Sequence, residues 1–191
     1  DGEEGFPGNL DVSICYTLTT DNALVIDYTA KTDVSTLVNL TNHSFFNLTG
    51  DPARDILSHE LQIHADFVTA AGEGLIPTGE LVPVAGTPAD FRKGKTVGQD
   101  IRANDPFLRQ CNGYDHNFVL AGEPGRKKAA EVYDQSTGRV MLVFTDMPGM
   151  QLYTANFLSP RTGKGGAQYQ EGGAVCLETQ FYPDAIHHAN F

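Results

Sequence analysis

The sequence predicts an all-β fold, a large antiparallel β-sandwich built from short strands. Segments rich in Val, Ile, Thr, Phe and Tyr alternate between apolar and polar residues with a period of two, as half-buried strands do. Turn-forming residues separate these segments, and the chain has 20 Gly and 10 Pro. One stretch has a helical period, residues 97–108, and it is long enough for only one or two turns. Strands that recur at short spacing between such turns are typical of a sandwich.

The first predicted element is a hairpin. Residues 12–18 and 23–30 both alternate with period two, and the turn residues Thr19, Thr20, Asp21 and Asn22 separate them. Further strands are predicted in chain order at residues 36–40, 59–65, 117–120, 128–133, 140–145, 150–156 and 174–179.

Length and composition predict one globular domain over residues 1–191, because sandwiches of about 200–250 residues often form a single domain. No internal repeat or linker interrupts the chain. Apolar residues make up 40% and charged residues 19%, and no run of about 18 apolar residues predicts a membrane span. The net charge of −11 argues against a nucleic-acid partner, since phosphate backbones are bound through Lys and Arg.

Three cysteines, Cys15, Cys111 and Cys176, form neither a CxxC motif nor an even framework. Free thiols of this kind are typical of a reducing compartment. We therefore expect a cytoplasmic protein.

A polar cluster around His43 is the first candidate site. A predicted strand ends in the run NLTNHSFFNL (residues 39–48), where amides and aromatic residues flank the histidine. Histidine is the side chain most easily tuned to exchange protons near neutral pH. The alternative is a hydrogen-bonded structural histidine at a strand end.

Two carboxylates mark the other candidate sites. Asp115 lies in the run GYDHNF, where it could orient a ligand hydroxyl or cap a turn. Glu178 interrupts the apolar strand VCLETQ, where a carboxylate is costly unless it is paired or transfers protons. An edge-strand glutamate that faces water is the alternative.

No motif predicts a metal or an organic cofactor. The sequence lacks HExxH, a P-loop, GxSxG, and a GxGxxG before a helix. His187 and His188 are adjacent, and neighbouring residues of an extended chain point to opposite faces. We expect neither a metal site nor a cofactor.

The candidate sites lie in segments that together resemble the aldose 1-epimerases. NLTNHSFFNL is similar to the family signature NLTNHSYFNL. Five further segments resemble the family in the same order: DGEEGFPGNL (residues 1–10), LIPTGE (75–80), YDHNF (114–118), GMQLYT (149–154) and CLETQ (176–180).

This resemblance implies a sandwich of the galactose-mutarotase type and an enzyme that interconverts the α and β anomers of galactose, glucose and related aldoses. His43 matches the family's general acid and Glu178 its general base. Asp115 and Gln151 match contacts to sugar hydroxyls. Ser44 and Phe45 flank the acid at the edge of the sugar, and Phe45 stands where the family usually has Tyr.

The resemblance also implies that the sandwich is incomplete at both ends. Family members carry an earlier segment with a sugar-binding Arg and a second His, and a last strand beyond residue 191. We therefore expect that a companion N-terminal fragment supplies the rest, or that the chain is itself a fragment. Two other functions remain open: a sugar-binding module without catalysis, and a hexose-6-phosphate 1-epimerase, which needs Arg or Lys near the site.

Overall fold

The computed structural model describes residues 2–191, so only the first residue of the predicted domain lies outside it. These residues divide by their contacts into two compact units, which meet in sequence between Leu40 and Thr41. The prediction of a single domain stays a prediction.

The first unit contains the predicted hairpin. Strands β1 (Leu10–Leu18) and β2 (Leu24–Thr32) pair antiparallel in unbroken register from Leu10 opposite Thr32 to Leu18 opposite Leu24. The turn closes with the N–H of Thr19 donating to the carbonyl of Ala23. The hairpin prediction is confirmed. The strand predicted at residues 36–40 is wrong, because no backbone ladder forms there and strand-prone side chains cannot make one without a partner.

The second unit holds two antiparallel sheets. The smaller has the order β6-β3-β8-β9 and the larger β13-β10-β7-β4-β5. The strands of the smaller sheet are β3 (Glu60–Ile63), β6 (Lys95–Thr96), β8 (Lys127–Asp134) and β9 (Arg139–Thr145). Those of the larger are β4 (Ala65–Ala71), β5 (Pro77–Pro83), β7 (Asp115–Leu120), β10 (Gly149–Tyr153) and β13 (Cys176–Gln180). A short hairpin, β11 (Arg161–Thr162) and β12 (Gln168–Tyr169), completes the strands.

One apolar cluster joins the two sheets. It contains Leu61 and Val132 from the smaller sheet and Phe118, Met150 and Leu177 from the larger, and each is at most 3% exposed. Two sheets that share one core form a sandwich. The predicted all-β antiparallel sandwich is therefore confirmed.

Helical structure is brief. The stretch predicted as helical, residues 97–108, contains a 3-10 turn at Val97–Gln99 and the start of the α-helix α1 (Pro106–Cys111). The Asp105 carboxylate caps α1 by accepting a hydrogen bond from the N–H of Phe107 at 2.9 Å. Among residues 2–191, no helix is long and apolar enough to cross a bilayer.

Candidate active site

The period of two along three adjacent strands divides the larger sheet into a core face and a cleft face. On β13, Leu177 enters the core, so its neighbour Glu178 points to the other face. On β10, Leu152 is in the core and Gln151 is on the cleft face. On β7, Phe118 is in the core and Asp115 is on the cleft face. The strand alternation therefore brings Asp115, Gln151 and Glu178 to one surface.

Strand register brings these side chains into contact. Gln151 lies directly opposite Glu178 on one side and opposite Asn117 on the other, while Tyr153 lies opposite Asp115. The Gln151 amide Nε2 donates a hydrogen bond of 2.7 Å to Oδ1 of Asp115. The carboxylate is thus held in one orientation at the centre of the cleft.

His43 reaches the cleft because its segment runs along the edge of β13. Phe46 and Val175 exchange both backbone hydrogen bonds, each 2.9 Å, and the Thr41 hydroxyl donates to the carbonyl of Thr179 at 2.9 Å. Between these two attachments, His43 Nε2 lies 3.4 Å from Glu178 Oε1. The imidazole and the carboxylate therefore face the same small volume.

Aromatic rings form one wall of this cleft. The ring centroid of His43 lies 4.9 Å from that of Phe45 and 5.6 Å from that of Tyr153. The cleft has a volume of about 430 Å³, which is within the range of small-molecule sites. Its lining residues are His43, Phe45, Asp115, Gln151, Tyr153, Phe157, Leu158, Glu178, Gln180 and Pro183.

The electrostatics of the cleft favour a proton acceptor at Glu178. Burial raises the pKa of Glu178, the charge of Asp115 raises it further, and His43 opposes the shift. Burial also raises the pKa of Asp115, while the Gln151 hydrogen bond and His43 lower it. A carboxylate with a raised pKa is a stronger base, so Glu178 is suited to take a proton from a hydroxyl near neutral pH.

The structure brings five of the six predicted site residues to the cleft: His43, Phe45, Asp115, Gln151 and Glu178. Ser44 is the exception. Its neighbours His43 and Phe45 both line the cleft, but Ser44 is not among the lining residues. The Ser44 N–H instead donates to Oδ1 of Asn42 at 3.4 Å.

The geometry does not favour the alternative roles of Asp115 as a turn cap and Glu178 as a solvent-facing residue. Asp115 bonds to Gln151 across two strands, so its side chain is not confined to capping a turn. Glu178 does lie on an edge strand of the larger sheet, yet it is only 8% exposed and does not face bulk water.

Sequence reasoning missed five lining residues. Tyr153 and Gln180 follow Gln151 and Glu178 by two positions on the same strands, so alternation alone could have found them. Phe157, Leu158 and Pro183 lie outside the regular strands, where no periodic signal exists.

Within residues 2–191, one group of three donors is compact enough to hold a metal ion. It consists of His43, Cys176 and Glu178, whose ligand atoms all lie within 4.8 Å of one another. The expectation that the protein needs no metal or cofactor stays a prediction.

Comparison with known proteins agrees with this geometry. A family model described as aldose 1-epimerase matches residues 1–191. The chain is 45% identical to human galactose mutarotase over 192 aligned positions and 40% identical to the aldose 1-epimerase of Escherichia coli over 189. These alignments cover 100% and 98% of the chain but 54% of each relative, so the chain spans about half the length of these relatives.

Solved structures give the same result. A GalM/aldose epimerase homologue from C. elegans superimposes with a TM-score of 0.86 at 28% identity, covering 98% of this chain and 55% of that protein. Galactose 1-epimerase from Lactobacillus acidophilus superimposes with a TM-score of 0.81 at 32% identity, covering 96% and 52%. The sandwich is therefore of the galactose-mutarotase type.

Proposed function

Because the chain belongs to the aldose 1-epimerase family, we propose that the protein interconverts the α and β anomers of aldohexoses such as galactose and glucose. The observation that carries this proposal is the 3.4 Å approach of His43 Nε2 to Glu178 Oε1 in the cleft. The names of two relatives, galactose mutarotase and aldose 1-epimerase, support an aldose substrate such as galactose.

The reaction needs one base and one acid that act on two oxygens bonded to the same carbon. Glu178 removes the proton of the C1 hydroxyl while His43 protonates the ring oxygen O5, and the hemiacetal opens to the aldehyde. Rotation about C1–C2 presents the other carbonyl face, and reclosure with the two roles exchanged gives the other anomer. Because O5 and the C1 hydroxyl are bonded to the same carbon, their two partners must lie close together, as Glu178 and His43 do.

The remaining cleft residues would hold the sugar. Asp115, fixed by Gln151, offers its second carboxylate oxygen to sugar hydroxyls. The rings of Phe45 and Tyr153 offer apolar surface to the C–H groups of a pyranose. We assign no substrate contact to Ser44, because its side chain is not part of the cleft lining.

The two alternative functions fit the cleft less well. A hexose-6-phosphate epimerase should offer a cation to the phosphate, and none of the ten lining residues is Lys or Arg. A sugar-binding module without catalysis has no need for a buried glutamate beside a histidine. We keep that module as the outcome to be tested.

The test is polarimetry of freshly dissolved α-galactose with the natural full-length protein. Glu178→Gln and His43→Asn should each lower kcat by roughly 10²–10⁴-fold, the contribution of one general acid or base. Glu131→Gln is the matched control, because Glu131 lies on β8 of the other sheet, paired with Lys128. Its rate should be native.

Three further results test the proposal. The double variant should be little slower than the slower single variant, since both groups act in one step. If the native protein binds galactose without speeding its mutarotation, the protein is a binding module. If Glu178→Gln turns over at native speed, Glu178 is not the base.

We also propose that the protein is cytoplasmic. The three cysteines are free, two of them buried, as is usual in a reducing compartment. Fractionation of cells that express the natural protein would test this proposal, and recovery in a secreted fraction would contradict it.

A further inference from the structure

Cys176 is a cleft-side residue that the proposed reaction does not use. It precedes Glu178 by two positions on β13, so both side chains leave the same face of the sheet. Cys176 is fully buried and free of disulfides. Burial, with smaller contributions from Glu178 and Asp115, raises the pKa of its thiol to about 12. Nothing in the opening of a hemiacetal calls for this thiol.

His43, Glu178 and Cys176 together present one nitrogen, one oxygen and one sulfur donor within 4.8 Å of one another. Zinc binds these donor types at about 2.0–2.3 Å, so the corners of its tetrahedron lie about 3.3–3.8 Å apart. His43 Nε2 and Glu178 Oε1, at 3.4 Å, already have this spacing. The Cys176 sulfur lies within 4.8 Å of both atoms, so it must approach by up to about 1 Å to complete the third corner.

We propose that this cluster is an inhibitory binding site for a thiophilic divalent cation such as Zn²⁺. The thiol proton passes to solvent as the sulfur coordinates the ion, and water fills the fourth position. The negative charge of Asp115, close enough to act on both Cys176 and Glu178, favours cation entry. Mg²⁺ should not bind, because it prefers six oxygen ligands in an octahedron.

Bound zinc would block the proposed reaction directly. The Nε2 lone pair of His43 would be held by the ion, so the imidazole could not deliver a proton to O5. The Glu178 oxygen would also be occupied, and the ion would stand where C1 must lie. Zinc and sugar should therefore exclude each other. The inhibition rests on the proposed function, whereas the binding does not.

Calorimetric titration of the natural full-length protein with ZnCl₂ tests the binding. One ion per chain should bind at this site, and saturating galactose should weaken that binding. Cys176→Ala should lower zinc affinity at least about tenfold, since even outer-shell changes cost 10–100-fold. Cys15→Ala and Cys111→Ala are matched controls, because these cysteines lie outside the cluster. Both variants should bind zinc with native affinity.

Polarimetry tests the inhibition with the same variants. Cys176→Ala should equilibrate α-galactose at a native rate without zinc, and it should need at least about tenfold more zinc for half-inhibition. If Cys176→Ala does not fold, Cys176→Ser replaces it, because serine keeps nearly the same size and removes the soft donor.

Two results would overturn the proposal. One is a folded Cys176 variant whose zinc affinity equals that of the native protein. The other is a native protein that binds zinc and galactose simultaneously. If the native protein shows no mutarotase activity but still binds zinc through Cys176, the proposed function fails and the metal site stands.

Discussion

His116 links acid stability to the position of Asp115. Its buried ring stacks on Phe107 with centroids 3.3 Å apart. Nδ1 accepts a 3.0 Å hydrogen bond from the N–H of Asp115, and Nε2 lies 3.2 Å from the carbonyl of Phe107. The ring is therefore neutral, with its proton on Nε2. Burial lowers the pKa of His116 to about 3, opposed by the Phe107 hydrogen bond.

The cost of acidification follows from this pKa. The pKa in the unfolded chain is about 6.5, so the unfolded state binds more protons below that pH. The stability that neutral His116 provides is complete above about pH 6.5, and it is lost progressively as the pH falls toward about 3. Between about pH 7 and pH 5 the linkage relation gives a loss of about 2 kcal/mol from this residue alone.

Urea unfolding, followed by circular dichroism at both pH values, measures this loss. His116→Gln lowers stability at both pH values but removes the titration, so its loss between about pH 7 and pH 5 should be smaller than the native loss by about 2 kcal/mol. Equal pH dependence in His116→Gln and the native protein would refute the reasoning.

Three further predictions concern the site and the residues packed around it. The mutarotation rate should rise with pH as Glu178 loses its proton, and Asp115→Asn should move this rise to lower pH, because the Asp115 charge raises the pKa of Glu178. A rise at the same or higher pH, measured by polarimetry, would contradict this. His59→Leu should lower the unfolding free energy by about 1–3 kcal/mol, because Nε2 of fully buried His59 accepts a 2.9 Å hydrogen bond from the N–H of Leu48. Native stability in urea unfolding would contradict this. Gly149→Ala should cost about 1–3 kcal/mol in the same assay, because its Cβ would lie 2.7 Å from both Asn117 Oδ1 and Tyr182 Cδ1; a native value would mean that these neighbours yield freely.

The sequence predicted strands best where residues alternate between core and cleft or solvent. The segment predicted at residues 140–145 is β9, Arg139–Thr145, and the one at 128–133 is β8, Lys127–Asp134. The sequence interpretation missed β5 (Pro77–Pro83), because Pro77, Thr78 and Gly79 have the composition of a turn. Its position at the edge of the larger sheet explains the prolines, since an edge strand has backbone groups that need no ladder partner.

The site was predictable from the resemblance and from alternation, but its closing contact was not. The positions of Gln151 and Glu178 on one face follow from their places on adjacent strands. The approach of His43 to Glu178 depends on the pairing of Phe46 with Val175, two residues far apart in the chain. No local pattern specifies that pairing. The resemblance also placed Ser44 beside the sugar, whereas Ser44 does not line the cleft.

Asn117 offers a last test of how the cleft is built. It lies opposite Gln151 on β7 and is 4% exposed. Among residues 2–191, neither polar atom of its side chain has a hydrogen-bond partner, and Oε1 of Gln151 has none either. Both residues line a second cavity of about 110 Å³ that shares Asp115 with the main cleft. Buried amides without partners cost about 1–3 kcal/mol each.

A cost of this size at the cleft indicates that the Asn117 amide serves the site rather than the fold. We expect Asn117→Leu, which has a similar volume, to keep or raise the unfolding free energy, because it removes an unsatisfied buried group. If the unpartnered Asn117 amide bonds a sugar hydroxyl, losing that one neutral hydrogen bond should raise KM for galactose roughly 2- to 10-fold. It should leave kcat near native, since His43 and Glu178 are unchanged. Urea unfolding and polarimetry over a range of galactose concentrations measure the two effects. A variant that loses stability while KM stays native would show that the amide supports the fold and not the sugar.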